Sequence, residues 1–242
     1  MNAEPARELT ALYEVIADCP NCALARTRTQ TVPGTGPAPA DVMCIGEAPG
    51  AREDQIGLPF VGPAGRFLDE LLTSVGLSRE SVYIANIVKC RPPENRDPQP
   101  VEIATCRGYL EKQIELVDPK VIVTLGRFSM ARWFPDETIG RIHGQARRIG
   151  SRIVLPMYHP AAALHRGDLR PVIAADFAQL PSLIARARDE VAPATPPTAA
   201  SDAPHDSTSE TPAAVPHPPP EENPTLETIP EAEGATEQVS LL

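Results

Sequence analysis

Four groups of residues in this chain have types and spacings that suit chemistry. The first is a set of cysteines. Cys19 and Cys22 form a C-x2-C pair, Cys90 follows after 67 residues and Cys106 after 15 more. Four thiolates suit either Zn²⁺ or a [4Fe–4S] cluster, and spacing alone does not choose between them. Cys44 stands in an apolar run and reads as core. The second group is the turn Gly46-Glu47-Ala48-Pro49-Gly50, followed by Glu53 and by a Gly/Pro-rich run that contains Phe60. An aromatic held in such a loop can stack on a nucleobase. The third group surrounds Cys90: Asn86, Lys89, Arg91 and Arg96, with prolines that stiffen the loop. A basic loop beside a metal ligand suits a phosphate backbone. The fourth is His159, held before Pro160, where a ring nitrogen can donate a hydrogen bond to a ligand. His143 and His165 are expected at the surface or on phosphate.

The elements that must position these groups can be read from apolar patterning. Runs 42–46, 82–87, 121–125 and 153–158 are rich in Val and Ile. Helical spacing predicts helices over 64–75, 100–117, 127–133 and 172–188. Leu9, Leu12, Tyr13 and Ile16 predict another over 6–17, ending at Cys19-Pro20. Buried strands that alternate with helices predict an α/β fold: a three-layer α/β/α sandwich around a central four-stranded parallel sheet. Open parallel sheets bind ligands beyond the carboxyl ends of their strands. Glu47 follows the first run, Asn86 lies at the end of the second, Gly126 follows the third and His159 the fourth. One Glu, one Asn and one His are thus expected on one edge.

Composition divides the chain near residue 190. Residues 191–242 hold eleven prolines, nine acidic residues and no Lys, Arg or aromatic. Such a segment buries too little apolar surface to offset its ordering entropy, so it is expected to be a disordered acidic tail whose partner, if any, is unknown. The formal net charge of −10 belongs to that tail, because 1–190 carry 22 Lys and Arg against the remaining 23 acidic residues. A nearly neutral core still allows basic clusters to meet phosphate. The start of the chain is polar and lacks a signal-peptide pattern, and no run approaches the roughly 20 apolar residues of a membrane span. A cytoplasmic monomer without membrane contact is expected, and in reducing surroundings clustered cysteines more often bind metal than pair.

The runs GEAPGAREDQIGLPFVGPAG, then NIVKCRPPENRDP with a following cysteine, then MYHPAAAL resemble the family 4 uracil-DNA glycosylases of bacteria and archaea. The resemblance covers about residues 10–188, with the motifs in order and matching in spacing. It implies a uracil-DNA glycosylase-like fold over 1–190, uracil-containing DNA as partner, and a [4Fe–4S] cluster on Cys19, Cys22, Cys90 and Cys106 rather than zinc. Family 5 glycosylases have an apolar residue where Glu47 stands. Cross-linking relatives carry a histidine-bearing basic insertion after the second strand, whereas KCRPPENRDP contains no histidine. Both departures favour the hydrolytic family 4 reading.

By the same resemblance, Glu47 and His159 are the catalytic residues. Glu47 activates water and balances the oxocarbenium-like sugar; His159 hydrogen-bonds O2 of the departing uracil. Phe60, Asn86, Ala48 and Glu53 bind the base. Phe60 stacks, Asn86 reads the O4/N3–H edge, and Glu53 crowds the methyl group of thymine. Lys89, Arg91, Arg96 and Leu164 contact DNA, with Leu164 as a wedge. The alternatives are a glycosylase taking other deaminated bases, a non-catalytic iron–sulfur nucleic-acid binder, and a nucleotide-cofactor enzyme. Intact Glu47, Asn86 and His159 oppose the second. The third lacks a phosphate fingerprint after the first strand.

Overall fold

The computed structural model describes residues 4–189. The tail expected over 191–242 lies outside the described residues. Five strands form one sheet: β1 Val42–Gly46, β2 Val82–Asn86, β3 Val121–Leu125, β4 Arg147–Ile149 and β5 Arg152–Met157, in the order β2-β1-β3-β5-β4. β2, β1, β3 and β5 run parallel, as expected, and their ends lie within one residue of the sequence reading. β4 corrects the expected count of four. It pairs antiparallel to β5, with Ile149 opposite Arg152. Three residues, two of them arginine, give no apolar alternation to read. Gly150, at φ 59°, closes the tight hairpin that brings β4 back.

Side chains alternate between the two faces of the sheet, and both faces are dry. Val42, Cys44, Ile84, Val123 and Leu155 share one core with helices α3 Pro63–Ser74, α8 Leu169–Phe177 and α9 Leu180–Asp189. Met43, Ile45, Tyr83, Ile122 and Val154 share the other with α1 Glu4–Ala17, α4 Pro100–Val117 and the start of the segment that follows α5 Arg127–Ala131. Short helices α2 Ala51–Ile56, α6 Ile139–Ile142 and α7 Ala162–His165 lie in the connections. This is the three-layer arrangement expected of buried parallel strands. The single helix expected over 172–188 is two. Pro181, near the start of α9, has no amide hydrogen to give Phe177, so the helix ends and restarts. α4 begins as the sequence predicts: Pro100 takes the first position, and Glu102 Oε2 accepts the Gln99 N–H at 2.8 Å.

Candidate active site

Glu47, Ala48, Glu53, Phe60, Asn86 and His159 line one cleft of about 410 Å³ at the carboxyl ends of the strands. Gly46 permits their approach. It sits in register with Asn86, and a Cβ there would lie 2.4 Å from Asn86 Oδ1 and 2.7 Å from Phe60 Cζ. Asn86 is 2% exposed, and its Oδ1 is buried without a hydrogen-bond partner. An acceptor left in this state costs roughly 1–3 kcal/mol. A ligand N–H would relieve it.

His159 follows β5 by two residues. Its Nδ1 accepts the Ala161 N–H at 3.1 Å, which leaves the ring proton on Nε2. Burial pushes its pKa down to about 4, with Glu53 opposing. At neutral pH the ring is therefore an uncharged Nε2–H donor. Glu47 is half-buried, and burial, helped by Asp97, raises its pKa while Arg127 opposes. Asp97 and Arg127 form an ion pair.

Phe60 adopts a left-handed backbone, φ 55°. For a residue with a side chain this costs about 1–2 kcal/mol, and two side chains hold it there. Glu53 Oε1 accepts the Val61 and Gly62 N–H groups at 2.9 and 2.8 Å. Arg79 donates to Pro59 O at 3.0 Å and to Phe60 O, and is itself held by Asp69 at 2.6 Å. Gly65 lies directly under the loop, where a Cβ would be 1.7 Å from Phe60 O. The Phe60 ring stacks beside His159, centroids 5.5 Å apart and planes 24° apart. One wall of the cleft is thus a fixed aromatic face.

The remaining predicted residues fall in different places. Lys89 corrects the expected DNA-contacting set: it is 1% exposed, and Nζ donates to Asn86 O at 2.7 Å and Gln113 Oε1 at 2.6 Å. Its charged neighbours in sequence suggested a surface loop, while its partner lies 24 residues away on α4. Burial pushes its pKa down to about 8. Arg96 reaches the cleft rim, but its guanidinium forks onto the buried Glu102 at 2.7 and 3.0 Å. Arg91 is half-exposed and bonds Asn95 Oδ1 at 2.8 Å. Leu164 is 46% exposed. His143 is half-buried and bonded to Asp176 at 2.8 Å, not spread on the surface.

Cys19, Cys22, Cys90 and Cys106 line one small cavity with Arg28, Lys89 and Tyr109. Burial raises the Cys106 thiol and pushes Cys90 up to about 11, with Arg28 opposing. Arg28 Nη1 donates to Cys90 Sγ at 3.3 Å and to Cys19 O at 2.7 Å. Bare thiolates are disfavoured at Cys90 and Cys106, so a thiophilic metal centre bound there would displace their protons to solvent and balance the thiolate charge. Among the described residues, no three His, Cys, Asp or Glu side chains are gathered tightly enough to hold a single metal ion. Cys44, pushed up to about 12, lies in the core on the opposite face of the sheet.

Sequence reasoning missed Arg79, Asp97, Arg127, Gln113 and Arg28. Each acts through a partner distant in sequence: Asp97 lies within the NIVKCRPPENRDP run, Arg127 follows Gly126 and Arg28 follows the C-x2-C pair, but nothing local marks what any of them touches. Among the described residues, no helix is long and apolar enough to cross a membrane.

Residues 33–178 match the Uracil DNA glycosylase superfamily. Among curated proteins, the chain is 45% identical over 184 residues to a Type-4 uracil-DNA glycosylase of Archaeoglobus fulgidus, covering 72% of this chain and 92% of the relative. It is 42% identical to one of Sulfurisphaera tokodaii, covering 72% and 84%, and 45% identical to one of Saccharolobus solfataricus, covering 70% and 83%. A cleft at the strand ends, the four-cysteine cavity and these matches agree: the chain belongs to the uracil-DNA glycosylase superfamily, with the type-4 enzymes as its kin.

Proposed function

We propose that this protein is a DNA-repair hydrolase that cleaves the C1′–N1 bond of deoxyuridine in DNA, releasing uracil and leaving an abasic site. The observation that carries the reading is the buried, unpartnered Asn86 Oδ1 in the same cleft as a neutral His159. Asn86 supplies one acceptor and one donor, which match N3–H and O4 of uracil. Cytosine presents the reverse pattern at that edge.

The nucleotide leaves the stack, at a cost of a few kcal/mol, and its base lies on Phe60. Cleavage puts negative charge on the ring and positive charge on the sugar. His159 Nε2–H donates to O2 as that charge develops, an interaction worth roughly 2.7–4 kcal/mol. Glu47 orients water and balances the sugar, and its raised pKa suits a carboxylate that accepts a proton. Glu53, which ties the Phe60 loop, stands where a thymine methyl group would enter. Arg91 and the exposed Leu164 face the duplex, Leu164 as the wedge.

The four cysteines are the ligands of a [4Fe–4S] cluster. Four cysteines lining one cavity supply the four thiolates such a cluster needs, and the likeness to the type-4 enzymes favours it over zinc. When bound, the cluster ties together the chain after α1, the loop after β2, and α4. The protein works as a monomer in the cytoplasm, where thiols stay reduced.

The test is incubation of purified protein with single-lesion duplexes, followed by alkali and strand-break analysis. Breaks at uracil but not at thymine or cytosine are expected. Intact uracil strands after treatment with iron-loaded protein would overturn the reading.

A further inference from the structure

The mechanism above uses Asn86 but leaves unexplained a fully buried lysine three residues later. Burying a lysine is expensive, and an apolar side chain of similar volume would pack more cheaply. Its hydrogen bonds show what it does. Asn86 ends β2, the edge strand of the sheet. Along β2 the backbone groups alternate in direction. The Ile84 N–H and C=O pair outward with Thr35, at 2.7 and 2.9 Å, and Ile87 N–H turns inward to Gly46 O at 3.1 Å. Asn86 shares the outward direction of Ile84, beyond the reach of the Thr35 bridge. Lys89 Nζ meets its carbonyl there, at 2.7 Å.

The ammonium is itself held. Gln113, 0% exposed, accepts from it at 2.6 Å. The Gln113 amide is fixed in turn, because Nε2 donates to Pro33 O at 2.7 Å and to the Tyr83 hydroxyl at 2.9 Å. Tyr83 bonds the Tyr13 hydroxyl of α1 at 2.7 Å. The chain from Tyr13 to Asn86 lies outside the cleft, and its last link is the backbone of the base-reading residue.

We propose that Lys89, held by Gln113, is a positioning residue: by fixing the Asn86 carbonyl it sets the aim of the Asn86 amide, and so sets discrimination at the N3–H edge of the base. The proposal rests on Asn86 as the reader of that edge. It differs from general support of the fold, because loss of Lys89 weakens the N3–H contact selectively.

The experiment compares single-turnover cleavage of duplexes containing uracil or N3-methyluracil, which has no N3–H. The proteins are the parent, Lys89→Met, Lys89→Arg and Gln113→Leu, each as iron-loaded full chain. The parent should prefer uracil by about tenfold to a hundredfold, as expected when a buried acceptor loses its partner. In Lys89→Met the uracil rate should fall until that preference nearly vanishes, with iron content and absorbance near about 400 nm unchanged. Lys89→Arg should recover part of the preference, and Gln113→Leu should lose part of it. A parent without preference would refute Asn86 as the reader. A parent with preference and a Lys89→Met variant that keeps it, both rates falling together, would refute Lys89 alone. If Lys89→Met fails to fold, Gln113→Leu decides: an undiminished preference there overturns the proposal.

Discussion

The cleft and the four-cysteine cavity both draw on one stretch of chain, 86–106, with Asn86, Pro92, Asn95 and Arg96 in the cleft and Cys90 and Cys106 in the cavity, and they treat polar atoms in opposite ways. In the cleft, side chains are held in place while the atoms facing inward stay unmet: Asn86 Oδ1 has no partner, and His159 Nδ1 is taken so that Nε2–H is left to donate. Around the cysteines, donors are already in place. Arg28 reaches Cys19 O, Cys90 Sγ and Ala17 O. A base that comes and goes needs partners left open for it. A centre that stays can be wrapped, and its wrapping can serve the fold.

The sharpest way to break this contrast is to remove a cysteine from each side of the sheet. Cys90→Ala should lose iron, the absorbance near about 400 nm and most soluble protein. Cys44→Ala should keep all three, because Cys44 lies in the opposite core. Zinc with negligible iron in anaerobically purified parent protein would refute the cluster.

Changes confined to the cleft should do the reverse. Glu47→Gln and His159→Ala should each slow single-turnover cleavage by about a hundredfold or more, with colour, melting temperature and DNA affinity little altered. A loss of colour in either variant would show that the two regions are not separable.

The pH dependence sharpens the electrostatic half of the contrast. His159 is held near 4, below its unfolded value of about 6.5. The unfolded chain therefore takes up this proton first as pH falls. The stability tied to neutral His159 is present above about 6.5 and is lost progressively between about 6.5 and 4. Glu47 has the opposite sign, because its raised folded pKa makes the ionised form a cost at neutral pH. Glu47→Gln should thus melt slightly higher than the parent at pH 7, and the gap should close on acidification. In activity, the acid limb should follow Glu47 and disappear in Glu47→Gln; a limb near about 6.5 that persists in Glu47→Gln would show that His159 charges in the cleft.

The smallest effect is expected from deleting 191–242. That segment brings no Lys, Arg or aromatic residue, so melting temperature and cleavage rate should stay near the parent's. At low salt, removal of nine acidic residues should tighten DNA binding slightly. A large fall in melting temperature would show that the segment is docked.

Much of the parallel sheet was legible because strands buried on both faces are near-continuous apolar runs rich in Val and Ile, and Pro100 marked the start of α4. The strand ends then told where Glu47, Asn86 and His159 converge. What could not be read was any feature carried by a distant partner. Lys89 looked like one more cation in a basic loop, because nothing local marks Gln113 as its acceptor. Arg79, outside every motif, proved to grip the Phe60 carbonyl. β4 escaped because two arginines and an isoleucine carry no period, and the break between α8 and α9 was readable from Pro181 but overlooked.

The left-handed bend at Phe60 bears on how such a protein can change over generations. Its aromatic face is aimed by the backbone, and the backbone is tied by Glu53, Arg79 and the close contact at Gly65. Exchanging Phe60 for another side chain alters the surface of the platform while its tilt stays as it was. A descendant that accepts bulkier bases must therefore rebuild the 57–62 loop or release these three ties together, and each tie lost alone weakens the platform before any new substrate fits. The seat is conservative by construction, and new base ranges have to arrive through combined changes.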